Sequence, residues 1–155
     1  MTNSCFFIGH RDSPATIKPL LAETAERHIT QYGVTDFYVG HYGSFDSLTA
    51  KVLCEMKEKH SHIKAYLLLA YHPAVREIEL PEGFDGSVLL EGLEKSLPRY
   101  AITDRNKKIV VKVDYLIAYS RYITDGSHNL LDYAKAKEKK GQLIITNLAD
   151  TFTEQ

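Results

Sequence analysis

Three short polar stretches carry the residues with which this chain can do chemistry, and each adjoins an apolar run. Residues 9–11 (GHR) follow the run at 5–8 (CFFI), residues 40–46 (GHYGSFD) follow the run at 37–39 (FYV), and Arg105 and Asn106 come shortly before residues 115–119 (YLIAY). A glycine at a strand end lets the backbone take positive φ and approach a ligand closely. A helix starting just beyond it leaves N–H groups unpaired in its first turn, which suit a phosphate. Gly9, Gly40 and Gly43 are the glycines so placed, with Ser44 after the last of them and a helix starting near Asp46. Arg11 and Arg105 would add charge-assisted donors. Asp46 would repel a phosphate, which leaves it two roles: a helix cap worth about 1 kcal/mol, or an acceptor for a ribose hydroxyl. His10 and His41 suit hydrogen bonding or acid/base transfer. Tyr42, Phe45 and Tyr122 either stack on a base or anchor the loops by packing on the domain.

The hydrophobic pattern supplies the scaffold that would position them. The run at 5–8 lacks alternation, as a strand covered on both faces does. Ile17, Leu20, Leu21, Thr24, Ala25, His28 and Ile29 recur at helical spacing, and Gly33 closes that helix. A second strand at 36–39 leads through the glycine loop to a helix whose buried stripe is Leu48, Val52, Leu53 and Met56. A third strand covers 65–70. Residues 72–98 are broken by Pro73, Pro81, Gly83, Gly86, Gly92 and Pro98, and read as a long surface connection of the kind that often forms a lid. Thr103 and Asp104 look like an N-cap for the helix that carries Arg105 and Asn106. A fourth strand at 115–119, a polar loop at 120–127 holding Gly126 and Ser127, a helix at 130–140 ended by Gly141 and a fifth strand at 143–146 complete the chain.

Strict alternation of strands and helices predicts an α/β fold: a Rossmann-like three-layer α/β/α sandwich, about five parallel strands in the order 3-2-1-4-5, forming one domain over residues 1–155. Ligands of such sheets bind beyond the carboxyl ends of the strands, where the strand order reverses. The three polar stretches and the 120–127 loop converge on that edge.

Composition narrows the partners. With 155 residues, 44% hydrophobic and 25% charged, the chain suits a single core. A formal net charge of −1 argues against a nonspecific nucleic-acid surface. Cys5 and Cys54 lie in apolar runs and form no C-x-x-C, as reduced thiols of a cytoplasmic protein do. No stretch has the apolar length of a membrane span, and the strand-like N-terminus argues against a signal peptide. His60 and His62 make a poor metal pair, having no third ligand at suitable spacing. Lys107, Lys108 and the lysines of 135–140 read as solvated helix faces.

Residues 7–11 (FIGHR), 39–46 (VGHYGSFD), Arg105 and Asn106 with 113–118 (VDYLIA), and 125–127 (DGS) together resemble the signature of the SLOG superfamily. That Rossmann-like group includes the DprA DNA-processing proteins and the LOG phosphoribohydrolases. The likeness is strongest to small stand-alone bacterial and phage members that begin with Gly-His-Arg. It implies a pocket for a nucleotide or nucleotide derivative, its phosphate held by the glycine loops and arginines. It also implies a departure: where LOG enzymes carry a glutamate in a Pro-Gly-Gly-x-Gly-Thr-x-x-Glu segment, this chain has Leu130. Arg105 matches the arginine that precedes the fourth strand in LOG enzymes, and without its acid it becomes a binding residue.

The expected function is therefore binding of a nucleotide-derived small molecule, by Gly9, His10, Arg11, Gly40, His41, Gly43, Ser44, Phe45, Asp46, Arg105, Asn106, Gly126 and Ser127. No metal or further cofactor, no nucleic acid and no membrane is expected, and assembly as a homo-oligomer is compatible with the pattern. Two alternatives stand beside it: a nucleotide N-glycosidase using Asp46 or Asp132, and a DprA-like interaction module.

Overall fold

The apolar runs pair as parallel strands. In the computed structural model, which describes residues 3–74, 77–121 and 126–152 (of 126–129 the backbone alone), β1 (Asn3–Gly9) lies between β2 (Val34–Val39) and β5 (Tyr115–Tyr119). With β3 (Lys64–Leu69), β4 (Gly86–Leu89) and β6 (Ile144–Asn147) it forms a six-stranded, all-parallel sheet of order β4-β3-β2-β1-β5-β6. The fold is Rossmann-like α/β. The five expected strands stand in their expected order, and β4 is an addition at the β3 edge. Its four residues include a glycine and are only partly covered, so they give too little periodicity to be read from sequence.

Helices cover both faces. α1 (Lys18–Thr30) and α2 (Ser44–Lys59) pack on one face over a core that includes Phe7, Phe37, Val39, Leu53 and Ile117. α3 (Ala101–Val110) and α4 (Gly126–Lys139) pack on the other over Phe6, Leu68, Leu116, Leu130 and Leu131. Central strands are apolar throughout because each face meets a helix layer.

Two helix starts differ from expectation. α3 begins at Ala101, so Asp104 sits inside its first turn, where a negative charge favours the helix dipole, and accepts a hydrogen bond from Ser96 Oγ at 2.8 Å. α4 begins at Gly126, taking Gly126 and Ser127 out of the loop. The connection at 72–98 is tied to the scaffold as well: the Asp85 N–H donates to the Ala65 carbonyl at 2.8 Å, its carboxylate accepts from the Ala65 N–H at 2.9 Å, and Lys57 pairs with it.

Candidate functional site

The loop after β2 turns sharply because Gly43 has φ +131° and ψ −179°, a conformation side chains avoid. It also touches its neighbour: a Cβ at Gly43 would lie 2.7 Å from Arg11 Cα. The α2 start is docked on the β1–α1 loop, with Ser44 N–H donating to the Arg11 carbonyl at 2.8 Å and Ser44 Oγ to the Ser13 carbonyl at 2.9 Å. Asp46 reaches back to accept from the Tyr42 N–H at 3.0 Å. The expected anion cradle is thus partly spent: one first-turn donor already has a carbonyl, and a carboxylate occupies the same turn.

Arg105 holds the other half of the site. It is only 2% exposed. Its Nε and Nη2 both donate to Asn106 Oδ1, at 3.0 and 2.7 Å, and Nη1 donates to the Leu68 carbonyl at 3.3 Å. The guanidinium lies between the rings of Phe6 and Tyr42, 5.7 and 5.6 Å from their centroids. Arg105, expected as a charge-assisted donor, spends three N–H bonds on internal acceptors, which the guanidinium needs because a buried charge without them is too costly.

Gly40 joins the two halves. A Cβ there would sit 2.5 Å from Arg105 Nη1 and 3.0 Å from Asp46 Oδ2. Only a glycine lets a cation from one helix layer and a carboxylate from the other close over the end of β2. Burial pushes the Asp46 carboxyl above the usual range, against the pull of the Tyr42 N–H and of Arg105. Burial likewise draws Arg105 down, with Asp46 holding it up. His41 is lowered, by burial first and then by Arg105.

At the point where the strand order reverses, His10 is buried and its Nε2 accepts from the Arg121 N–H at 2.6 Å, its ring edge on to Tyr119. Ser120 and Asn147 exchange bonds: Ser120 N–H to Asn147 Oδ1 at 3.1 Å and Asn147 Nδ2 to the Ser120 carbonyl at 3.2 Å. Arg11 is exposed. Gly9 serves packing, since a Cβ on it would meet the Phe45 ring at 2.3 Å, and Phe45 is itself 1% exposed and belongs to the core. Gly126 and Ser127 open α4, while the Ser127 side chain and Tyr122 lie outside the described residues. Asp132 is exposed on α4, and Leu130 is buried in the core.

No protein-family model matches this chain, and no curated protein matches it either.

An open groove of about 280 Å³ runs beside Gly40, lined by His41, Asp46, Ser47, Ala50, Lys51 and Pro81. Sequence reading missed Ser47 and Lys51, which share a helix face with Asp46 at spacings that only become a site once the 79–83 segment packs alongside. Tyr42 and Leu68 were missed as partners of Arg105: a carbonyl gives no sequence signal, and an aromatic in a loop, though more often packed on its own domain than on a base, does not show which side chain it meets. Among the described residues, no three His, Cys, Asp or Glu side chains are grouped to hold a metal ion, and no helix is long and apolar enough to cross a membrane.

Proposed function

We propose that the protein binds a nucleotide or nucleotide-derived ligand in the groove at the carboxyl end of β2. The observation that carries this is the approach of Asp46 and Arg105 to Gly40 at the mouth of that groove. Asp46, held by Tyr42 N–H and facing a buried guanidinium, is a fixed acceptor for sugar hydroxyls. The phosphate falls to exposed cations: Lys51 within the groove, which among the described residues makes no ion pair, with Arg11 on the adjoining loop. Arg105 acts from below by fixing the edge, without touching ligand. The SLOG-like pattern of residues 7–11, 39–46 and 105–106 points to the same ligand class.

One observation favours a second role for the same site. A carboxyl raised by burial, as that of Asp46 is, suits proton transfer to a leaving base, so the N-glycosidase alternative would run through Asp46. Calorimetric titration with ribonucleoside monophosphates tests the binding reading. Lys51→Ala should weaken binding by about 1.5–3 kcal/mol, the usual size of a charge-assisted contact. Asp46→Asn should weaken it too, and unchanged affinity in both variants removes the ligand from this groove.

A further inference from the structure

The groove does not end where a mononucleotide would. A second cavity of about 250 Å³ continues along α2 and shares Ala50, Lys51 and Pro81 with the first. Its far end is formed by Cys54, Glu55 and Glu82. The wall opposite α2 is held close, because Gly83, at φ +83°, brings its Cα against Cys54: a Cβ there would lie 3.1 Å from Sγ. Lys51, the cation, therefore stands in the middle of a continuous cleft with carboxylates at both ends. Glu55 is paired through Oε1 with Lys18 at 2.8 Å, and Glu82 stands exposed beside it as an acceptor at the far end.

Acid, base and acid in sequence along one cleft match a ligand with an anionic centre between two ends rich in hydrogen-bond donors. Sugar hydroxyls and exocyclic amino groups are such donors, and a phosphate linkage is such a centre. We infer that the cleft takes a dinucleoside phosphate or pyrophosphate: one nucleoside at Asp46, the phosphates at Lys51, and the second nucleoside between Cys54 and Glu82. This rests on the nucleotide reading above and adds the second subsite to it. A mononucleotide would leave the Cys54 end empty.

Cys54 is itself the reporter. The chain has two cysteines. Cys5 is fully buried, and burial drives its thiol far above the ordinary range; Cys54 is partly exposed at the cleft wall, its thiol raised as well, by burial first and then by Glu82, Glu58 and Glu55, so that access is what separates the two. Iodoacetamide labelling at mildly alkaline pH, read by mass spectrometry, should therefore modify Cys54 alone, and unlabelled Cys5 certifies that reaction occurs in the folded protein. The probes are the four ribonucleoside monophosphates and the matching symmetric dinucleoside pyrophosphates, with binding followed in parallel by calorimetry. A dinucleoside pyrophosphate at ten times its Kd should slow Cys54 labelling about tenfold, and an equally saturating mononucleotide should leave the rate unchanged. Lys51→Glu should abolish the protection. Dinucleotide binding with Cys54 reacting at the unliganded rate, or equal protection by a mononucleotide, overturns the second subsite while the nucleotide reading stands. Binding by none of the eight probes overturns both.

Discussion

Arg105 and Asp46 reach the same glycine from helices on opposite faces of the sheet. The guanidinium and the carboxylate flank Gly40 so closely that a methyl group has no place between them. Neither residue is paired by sequence proximity, and their approach needs the sheet to bring the end of β2 between α2 and α3.

Gly40→Ala should therefore lower stability by about 1–3 kcal/mol, the usual range for forced overpacking. The added Cβ would meet Arg105 Nη1 at 2.5 Å, and the guanidinium is held on its other edge by Asn106 and at Nη1 itself by the Leu68 carbonyl, so it has little room to retreat. Gly86→Ala is the control, because a Cβ at Gly86 meets nothing within 4 Å. Urea denaturation of the two variants should separate them, the control being neutral or slightly stabilising.

Asn106 is a positioning residue for the Arg105 guanidinium, through two bonds to one oxygen. Asn106→Ala leaves those donors without an acceptor in a buried place and should cost about 1.5–3 kcal/mol, as bonds to charged groups do. Asn106→Asp keeps the acceptor and adds an opposite charge, so it should recover most of the loss. Equal destabilisation by both substitutions would mean that Asn106 contributes through its shape, with no part played by its oxygen.

Stability should fall with acid through His28. The ring is fully buried, Nδ1 is bonded to the Thr24 carbonyl at 2.8 Å, and Nε2 has no partner among the described residues. Tyr32 and Tyr115, whose own rings stack, both meet it edge to face. Burial, above all, holds its pKa below the ordinary 6.5, with nearby Arg27 adding to the effect and the Thr24 bond opposing it. The unfolded chain thus binds a proton that the folded one refuses. The His28 contribution is complete above about 6.5 and is lost as pH falls from there through the folded value, at no more than about 1.4 kcal/mol per pH unit. Urea midpoints measured between neutral and mildly acidic pH should fall less steeply in His28→Leu than in the parent.

The sheet was legible because its central strands are unbroken apolar runs and the helices keep a 3.6 period. β4 was not, since Gly86, Ser87, Val88 and Leu89 form a short edge strand inside a stretch punctuated by glycine and proline. At the site, the glycines were found for partly mistaken reasons. Gly43 does need positive φ, but Gly9 makes room for Phe45 and Gly40 makes room for Arg105. Sequence marks that a glycine stands at a strand end; which neighbour fills the space is decided by tertiary packing. Arg105 was read as an open donor for the same reason, because its acceptors are a carbonyl on β3 and the side chain next to it.

The remaining prediction concerns turnover. Departure of a base from a nucleotide leaves an oxocarbenium-like sugar, which needs a carboxylate or nucleophile beneath it and an acid to protonate the base. On the SLOG-like reading proposed above, the LOG glutamate would fall at Leu130, which is 5% exposed and packed with Leu131 and Ala134 in the core between the sheet and α3 and α4. Asp132 is exposed on α4, and Asp46, the carboxyl in the groove, is raised by burial and anchored to Tyr42. One raised carboxyl can act as an acid, but the chemistry takes two groups of opposite role. Incubation with the four ribonucleoside monophosphates, followed by chromatography, should therefore release no free base at multiple turnover. Release that persists in the purified protein and disappears in Asp46→Asn would make Asp46 catalytic and turn the binding site into that of a hydrolase.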